Sequence, residues 1–323
     1  MTITQDGSAP LIAVVGATGN QGGSVVRALA DSDKPYRVRG FTRDPRKPAA
    51  LELSKLGVAV VGVTFVVENK DEVNKAFTGA DFAFLVTNFW EHVDIDREIA
   101  EGKLLIDAAK AGGVSGIVWS GLPSISKISG GKFPHVWHFD GKAVVTEYGR
   151  QAGVPFVDVQ AGAYGTNFFN LPFAPEKQSD GSFALQLPVN PTTAIPFIDT
   201  TLDYGIFVRY VLELPVFPDG GEFAAYAENI SVKDLTRQWS QATGKNISFA
   251  QITVEEFKQR LESAGFPPHI VLDLSEALVS WDEFGWKVSA IPQGLVRSPR
   301  KWADFVKATD WSKLWETTAG PRK

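Results

Sequence analysis

The chain has 323 residues, 44% of them hydrophobic, which suits one large α/β domain with an elaborated C-terminal half, or two domains. Its formal net charge of -5 at pH 7 argues against general affinity for nucleic acid, because binding to phosphates needs a basic surface. It contains no cysteine, which excludes disulfides, cysteine-ligated zinc and thiol catalysis.

The N-terminal segment MTITQDGSAP is polar and lacks the basic-then-apolar pattern of a signal peptide. Apolar runs in the chain stay well short of the roughly 18 residues of a membrane span. We therefore expect a soluble cytoplasmic protein, with the nucleus as a second location, that binds neither membranes nor nucleic acid directly. No metal site is expected, because metal-ligand spacing is absent among His92, His135, His138 and His269.

Short apolar runs bounded by turn residues predict six strands in the first half of the chain: LIAVVG, YRVRGF, GVAVVGV, DFAFLV, GIVWSG and PFVDVQ. Amphipathic segments between them, such as residues 20–31 and 97–113, predict helices. This alternation is typical of an α/β protein with a Rossmann fold, in which a doubly wound parallel sheet has helices on both faces.

After about residue 165 proline and aromatic residues become frequent, and helical segments at 199–212, 231–243 and 253–263 alternate with short apolar runs. We expect residues 1–165 to form the dinucleotide-binding Rossmann domain, with some later segments returning to it. Residues 166–323 would form a smaller, mixed α/β C-terminal lobe that contacts a substrate or a partner.

The first predicted strand leads into VVGATGNQGGSVV, which places Gly16, Gly19 and Gly22 in a G-x-x-G-x-x-G pattern before a helix. Glycine lets the backbone turn tightly and approach a pyrophosphate, while the helix N-terminus supplies N–H donors and positive dipole potential. In this context the pattern predicts a dinucleotide-binding loop rather than an ordinary glycine-rich turn.

The end of the second predicted strand indicates which dinucleotide binds. An NAD-binding fingerprint has an acidic residue there, which bonds the ribose 2′-hydroxyl. Here the segment reads GFTRDPRK, so Arg43 takes that place, Arg46 and Lys47 follow, and Asp44 starts the next turn. Because arginine offers a fork of donors to a phosphate, the segment predicts a preference for NADP(H), the alternative being a solvated basic loop.

The segments GATGNQGGSV, TRDPRK, VTNFWE, EGKLLIDAAKAGGV, SGLPSI and HFDGK resemble the NmrA-like family of atypical short-chain dehydrogenase/reductases, and within it the HSCARG-type NADP(H)-binding proteins. The resemblance is specific over residues 11–170 and looser up to the C-terminus. It implies a Rossmann domain that binds NADP(H) and a small C-terminal lobe that closes over the nicotinamide.

The resemblance also implies which residues contact the cofactor. These are Thr18, Gly19, Asn20, Gln21 and Gly22 at the pyrophosphate, Arg43 with Lys47 at the 2′-phosphate, Thr87 and Asn88 near the centre of the cofactor, Lys142 at the nicotinamide ribose, and Tyr164 and Asn167 facing the nicotinamide. One departure follows the third strand, where relatives carry Gly-Asp and this chain reads VVGVTFVVENK. Thr64 stands at the position of that acid, so contact with adenine rests on Thr64 and Phe65.

Standard short-chain dehydrogenases use a Tyr-x-x-x-Lys pair and a serine after the fifth strand, and the tyrosine donates a proton. Here the frame reads His138-Phe-Asp-Gly-Lys142, and Ser120 matches the serine. Three alternatives stay open: Lys142 donates the proton, Lys142 only binds the ribose, or His138 is the acid. We expect Lys142 to contact the cofactor, and His138 to be a hydrogen-bonded helix residue beside the pocket. Tyr164 is a further catalytic candidate.

Aromatic residues close to predicted strand ends, among them Trp90, Trp137 and Tyr164, favour a pocket for a small planar or aromatic substrate. The segment SWDEFGWK, residues 280–287, could cap this pocket from the second lobe. We therefore predict an NADPH-dependent reductase of a small carbonyl, quinone or imine compound. The alternative is a redox-sensing regulator that distinguishes NADPH from NADP⁺ and acts through a protein partner without turnover. A homodimer is compatible with either.

Overall fold

The computed structural model describes residues 3–285 and 291–317, in which strands and helices alternate. The strands are β1 (Leu11–Val14), β2 (Arg37–Thr42), β3 (Ala59–Gly62), β4 (Phe82–Leu85), β5 (Gly116–Trp119), β6 (Phe156–Ala161), β7 (Ala163–Tyr164), β8 (Glu176–Lys177), β9 (Phe183–Leu187), β10 (Ala194–Ile198), β11 (Glu222–Ala225), β12 (Glu228–Ser231) and β13 (Ile247–Gln251).

The helices are α1 (Asn20–Ala30), α2 (Pro48–Lys55), α3 (Lys70–Ala76), α4 (Phe89–His92), α5 (Ile95–Ala111), α6 (Ile125–Ile128), α7 (Trp137–Gln151), α8 (Thr200–Glu213), α9 (Val232–Thr243), α10 (Val254–Ser263), α11 (Pro268–Phe284), α12 (Trp302–Ala308) and α13 (Ser312–Thr317). Short 3₁₀ segments lie at Val67–Asn69 and Gly165–Phe169. Within the described residues, the helices are too short or too polar to cross a membrane.

A seven-stranded sheet with the order β11-β6-β5-β4-β1-β2-β3 carries the first half of the chain. Every neighbouring pair in it is parallel. The six predicted strands are all present, and the predicted Rossmann fold is confirmed. The strand order reverses between β1 and β4, which is where ligands bind in open α/β sheets.

The seventh strand, β11, comes from the C-terminal half and was not predicted. Its sequence EFAA has no β-branched residue and follows a Pro-Asp-Gly-Gly turn, so it carries a weak strand signal. Its pairing with β6 gives that strand a neighbour on its outer side. The exact boundary between the two lobes stays a prediction.

Alternate residues of β1 are buried on opposite faces of the sheet, as the two-residue period of a strand requires. Ile12 and Val14 belong to the core cluster that contains α1 and α8, whereas Leu11 and Ala13 belong to the cluster with α3, α5 and α7. Both faces are therefore covered, which explains the nearly continuous apolar sequence of the strand.

Helix α8 also comes from the C-terminal half, and it packs directly against α1. Gly205 lies at this contact, where its N–H donates to Ser24 Oγ at 2.9 Å and an added Cβ would overlap the carbonyl oxygen of Ser24. The two helix backbones approach each other closely because this position has no side chain.

The second lobe contains two three-stranded sheets, β12-β10-β7 and β13-β9-β8. Its core is rich in aromatic rings: Trp302 lies 4.7 Å from Phe168 and 5.4 Å from Trp239, centroid to centroid. The Trp302 indole N–H donates to the Leu235 carbonyl at 2.9 Å. Much of the aromatic content of the C-terminal half therefore fills a core rather than a ligand pocket.

Candidate functional site

The predicted glycine loop joins β1 to α1. Gly16 has a φ of +66°, a left-handed conformation that favours glycine, and an added Cβ on Gly22 would overlap the Gly16 carbonyl oxygen. Gly19 is the N-cap residue of α1 and has no side chain that could accept a hydrogen bond from the first N–H groups of the helix. The first N–H groups of α1 are therefore left for a ligand. This arrangement fits the pyrophosphate of a dinucleotide.

A cleft of about 680 Å³ starts at this loop and runs along the carboxyl ends of the strands to the second lobe. Most of the predicted site residues line it: Gly16, Thr18, Gly19, Asn20, Gln21, Gly22, Arg43, Thr64, Thr87, Asn88, Trp90, His138, Lys142, Tyr164 and Asn167. Gly16 and Asn167, 151 positions apart in the sequence, thus line one cavity.

Lys47 and Trp137 are placed elsewhere. Lys47 is the exposed N-cap residue of α2 and does not line the cleft. The ring of Trp137 contacts His135 at 5.4 Å and His269 at 6.3 Å and packs against the core of the second lobe. Trp137 directly precedes the cleft residue His138 in sequence, but the helical turn directs it away from the cleft.

Arg43, directly after β2, is the cationic group at one end of the cleft. Its side chain is 68% exposed, and its Nη1 donates to Glu91 Oε1 at 2.7 Å. The neighbouring carboxylate of Asp44 accepts from the Arg46 Nε at 3.0 Å, which matches the expectation that Asp44 belongs to the next turn. Arg43 is thus a charged side chain at the end of β2 that lines the cleft.

Lys142, on α7, is enclosed by polar partners. Its Nζ donates to Glu98 Oε1 at 2.5 Å, to Thr87 Oγ1 at 2.9 Å and to the Thr87 carbonyl at 3.1 Å. The Glu98 side chain is only 1% exposed, and it also accepts from Thr87 Oγ1 at 2.7 Å. The ammonium lies 5.6 Å from the centre of the Trp119 ring. The lysine is held as one member of a buried ion pair.

His138, one helical turn before Lys142, is held by the second lobe. Its Nδ1 is hydrogen-bonded to Asp273 Oδ1, and its backbone N–H donates to Asp273 Oδ2 at 3.0 Å. The Asp273 side chain lies on α11 and is fully buried. The imidazole also contacts Trp90, with 5.1 Å between ring centroids. The expectation that His138 is a hydrogen-bonded helix residue beside the pocket agrees with this placement.

Tyr164 and Ser120 complete the set of predicted polar candidates. Burial raises the pKa of the Tyr164 phenol, so its hydroxyl stays protonated at neutral pH. Ser120 is buried, and its Oγ donates to Gln21 Oε1 at 3.0 Å. The Gln21 Nε2 is buried and has no hydrogen-bond partner among the described residues. Ser120 therefore supports the glycine loop from below.

The end of the cleft away from the glycine loop is apolar. It is lined by Leu122, Phe139, Phe173, Leu274, Ala277, Leu278 and Trp281. Leu274, Ala277 and Leu278 of α11 were missed, although their spacing in LSEALVSW is that of one helix face. Within the predicted capping segment 280–287, Trp281 lines the cleft, whereas Trp286 and Lys287 lie outside the described residues.

Comparison with known proteins gives matches over most of the chain. The profile of the NmrA-like family matches residues 8–322. The nitrogen metabolite repression protein nmrA of Emericella nidulans is 31% identical over 252 residues, covering 76% of this chain and 69% of that protein. The NmrA-like family domain-containing oxidoreductase ptmS of Penicillium ochrochloron is 30% identical over 257 residues, covering 75% and 76% of the two chains.

The crystal structure of NmrA, a negative transcriptional regulator, in complex with NADP has a TM-score of 0.74 at 25% identity, covering 96% of this chain and 98% of that chain. A second structure of NmrA, in complex with NAD, has a TM-score of 0.72 at 26% identity over 93% and 95% of the two chains. The structural similarity therefore extends over both the Rossmann sheet and the second lobe.

Proposed function

This chain belongs to the NmrA-like family, and we propose that it is an NADPH-dependent reductase of a small, apolar carbonyl, quinone or imine compound. The single observation that carries the proposal is the continuity of the cleft. One end has the groups that a dinucleotide needs, and the other end is an apolar chamber that can receive a second ligand.

The glycine loop and the N-terminus of α1 would hold the pyrophosphate, and Arg43 the 2′-phosphate. When bound, the reduced cofactor supplies a hydride from its nicotinamide ring. NmrA has been crystallised with NADP and with NAD, so similarity to NmrA does not decide between the two cofactors. The proposed preference of this chain for NADP(H) therefore rests on Arg43. Thr64, Thr87, Asn88, Lys142, Tyr164 and Asn167 would form the remaining walls of the cofactor site.

The apolar end supports the proposed substrate class. Leu274, Leu278 and Trp281 of α11, together with Phe173, favour a planar or apolar compound over a charged one. With a substrate bound, these side chains would exclude water from the reacting atoms, which would strengthen the electrostatic interactions there.

A steady-state assay tests this proposal. Purified protein is mixed with NADPH or NADH and a panel of quinones, enones, aromatic ketones and cyclic imines, and the loss of NADPH absorbance is followed. We expect turnover of at least one apolar compound, faster with NADPH than with NADH. Arg43→Ala should lower kcat/KM for NADPH about tenfold or more and change that for NADH much less. NADPH that binds but is not oxidised with any of these compounds would count against the reductase.

A regulator is the second candidate, favoured by the commitment of Lys142 to Glu98 and Thr87 rather than to the open cleft. The name of the relative nmrA as a repression protein points the same way. A regulator must differ between its ligand states. Hydrogen exchange of α7 and α11 and the oligomeric state would then differ among the apo, NADPH and NADP⁺ forms. Identical behaviour of the NADPH and NADP⁺ forms would exclude redox sensing.

A further inference from the structure

We propose that His138, held by Asp273 of the second lobe, is the proton donor of this site, and that Lys142 is a positioning residue. The inference rests on the proposed reductase function. It selects one of the alternatives that the frame HFDGK leaves open, and it adds Asp273 to the site.

The hydrogen bonds of Lys142 argue against this residue as the proton donor. A lysine ammonium has three N–H donors, and all three are used within the protein, by Glu98 and twice by Thr87. Proton transfer from Nζ would leave the carboxylate of Glu98, 1% exposed, without its cation. Uncompensated buried charge is strongly destabilising, so Lys142 is better suited to hold the β4 end and α7 in place.

The hydrogen bonds of His138 leave one ring nitrogen available. Nδ1 is bound to the carboxylate of Asp273, whereas Nε2 makes no hydrogen bond within the described part of the chain. His138 is also one of the residues that line the cleft. A carboxylate fixes the Nδ1–H form of the imidazole, so the proton that the imidazolium can release is the one on Nε2.

The neighbouring pair His135 and Glu276 makes the same histidine–carboxylate contact outside the cleft, so it serves as a comparison for His138 and Asp273. His135 Nδ1 lies 2.6 Å from Glu276 Oε1, and its backbone N–H donates to Glu276 Oε2 at 2.8 Å. The His135 side chain is 40% exposed and does not line the cleft, whereas that of His138 is 14% exposed. Both pairs attach the start of α7 to α11. Of these two pairs, only His138 and Asp273 place an imidazole in the wall of the cleft.

The proton step is as follows for a carbonyl substrate. His138 Nε2 releases its proton to the carbonyl oxygen while the carbonyl carbon accepts a hydride from the reduced nicotinamide dinucleotide. The C=O π bond and the Nε2–H bond break, and C–H and O–H bonds form, which gives an alcohol. The imidazole is left neutral, with its remaining proton on Nδ1 facing Asp273, and it takes a new proton on Nε2 from water.

The tautomer of His138 can be measured without any substrate. The chain has four histidines, so ¹⁵N NMR of protein labelled at histidine gives few signals, and His138→Gln assigns the one of interest. We expect the neutral ring of His138 to carry its proton on Nδ1. Asp273→Asn should lose this preference, while Glu276→Gln should leave it unchanged. A wild-type His138 with the proton on Nε2 would overturn the inference.

Steady-state kinetics provide a second test, with a compound that the NADPH oxidation assay shows to be a substrate. His138→Gln should lower kcat by about 10²-fold or more at unchanged NADPH affinity, and Asp273→Asn should lower it by about tenfold or more. Lys142→Met should mainly weaken NADPH binding, and His135→Gln, the matched control, should keep the wild-type rate. Turnover that survives in His138→Gln overturns this inference alone. A wild type that reduces no compound overturns the reductase and the donor role together, even when the tautomer is as expected.

Discussion

Asp158→Asn is the substitution whose effect on stability can be worked out furthest from the structure. Asp158, on β6, is fully buried below the site. Its carboxylate accepts hydrogen bonds from the Gly121 N–H at 3.0 Å, Thr146 Oγ1 at 3.0 Å and Gln160 Nε2 at 2.9 Å. Burial nevertheless raises the pKa of Asp158 from 3.8 to about 7, because loss of hydration outweighs these donors.

The sign of the pH effect follows from this raised pKa. Below pH 3.8 both the folded and the unfolded chain carry the proton. Between pH 3.8 and about 7 the unfolded chain releases it while the folded chain keeps it, so the wild type loses stability as the pH rises. Each pH unit in this interval costs about 1.4 kcal/mol. Across the whole interval the loss is about 4 kcal/mol, and asparagine, which cannot ionise, does not show it.

Urea unfolding of the wild type and Asp158→Asn at pH 4, 5, 6 and 7 measures the effect as a difference between the two proteins. The free energy of unfolding of Asp158→Asn minus that of the wild type should increase with each step in pH. Asp180→Asn is a suitable control, because hydrogen bonds from Ser182 lower the pKa of the exposed Asp180 carboxyl, so its ionisation affects stability mainly below pH 4 and its difference from the wild type should stay nearly flat from pH 4 to 7. A difference between wild type and Asp158→Asn that stays flat from pH 4 to 7 would refute the reasoning.

Three further predictions concern the cleft and the packing beneath it. Glu91→Gln removes the carboxylate that binds Arg43, so NADPH should bind about tenfold more tightly in a fluorescence titration, and unchanged affinity would exclude Glu91 as a competitor. Gly22→Ala should abolish NADPH binding in the same titration, because its Cβ overlaps a backbone carbonyl of the loop; tight binding would mean that the loop can move aside. Gly205→Ala should lower the free energy of unfolding by about 3 kcal/mol or more, since two backbones meet there, and a wild-type midpoint in urea would contradict that contact.

The sequence was sufficient to predict six of the seven strands of the Rossmann sheet and most of the residues that line the cleft near the glycine loop, for a physical reason. Buried parallel strands are apolar throughout, and their carboxyl ends meet at one edge, so the residues that follow each strand converge. The positions of Gly19, Arg43 and Thr87 around one cavity follow from this rule.

The partners of these residues could not be predicted, because they depend on tertiary packing between distant segments. Glu98 lies 44 residues before Lys142, and Asp273 lies 135 residues after His138. Each is a carboxylate in a helix, where most acidic residues face water. Sequence spacing does not reveal which of them turns inward to meet a cation or an imidazole.

Helix α8 and strand β11 come from the C-terminal half of the chain but pack on the Rossmann sheet, which has a consequence for folding during synthesis. When residues 1–165 have left the ribosome, β6 has no neighbour on its outer side and α1 lacks the helix that covers it. An unpaired strand edge and an uncovered apolar face are prone to aggregate. The Rossmann sheet is therefore completed only after residue 225 has been synthesised, and a fragment cut at residue 165 would lack both the neighbour of β6 and the helix that covers α1.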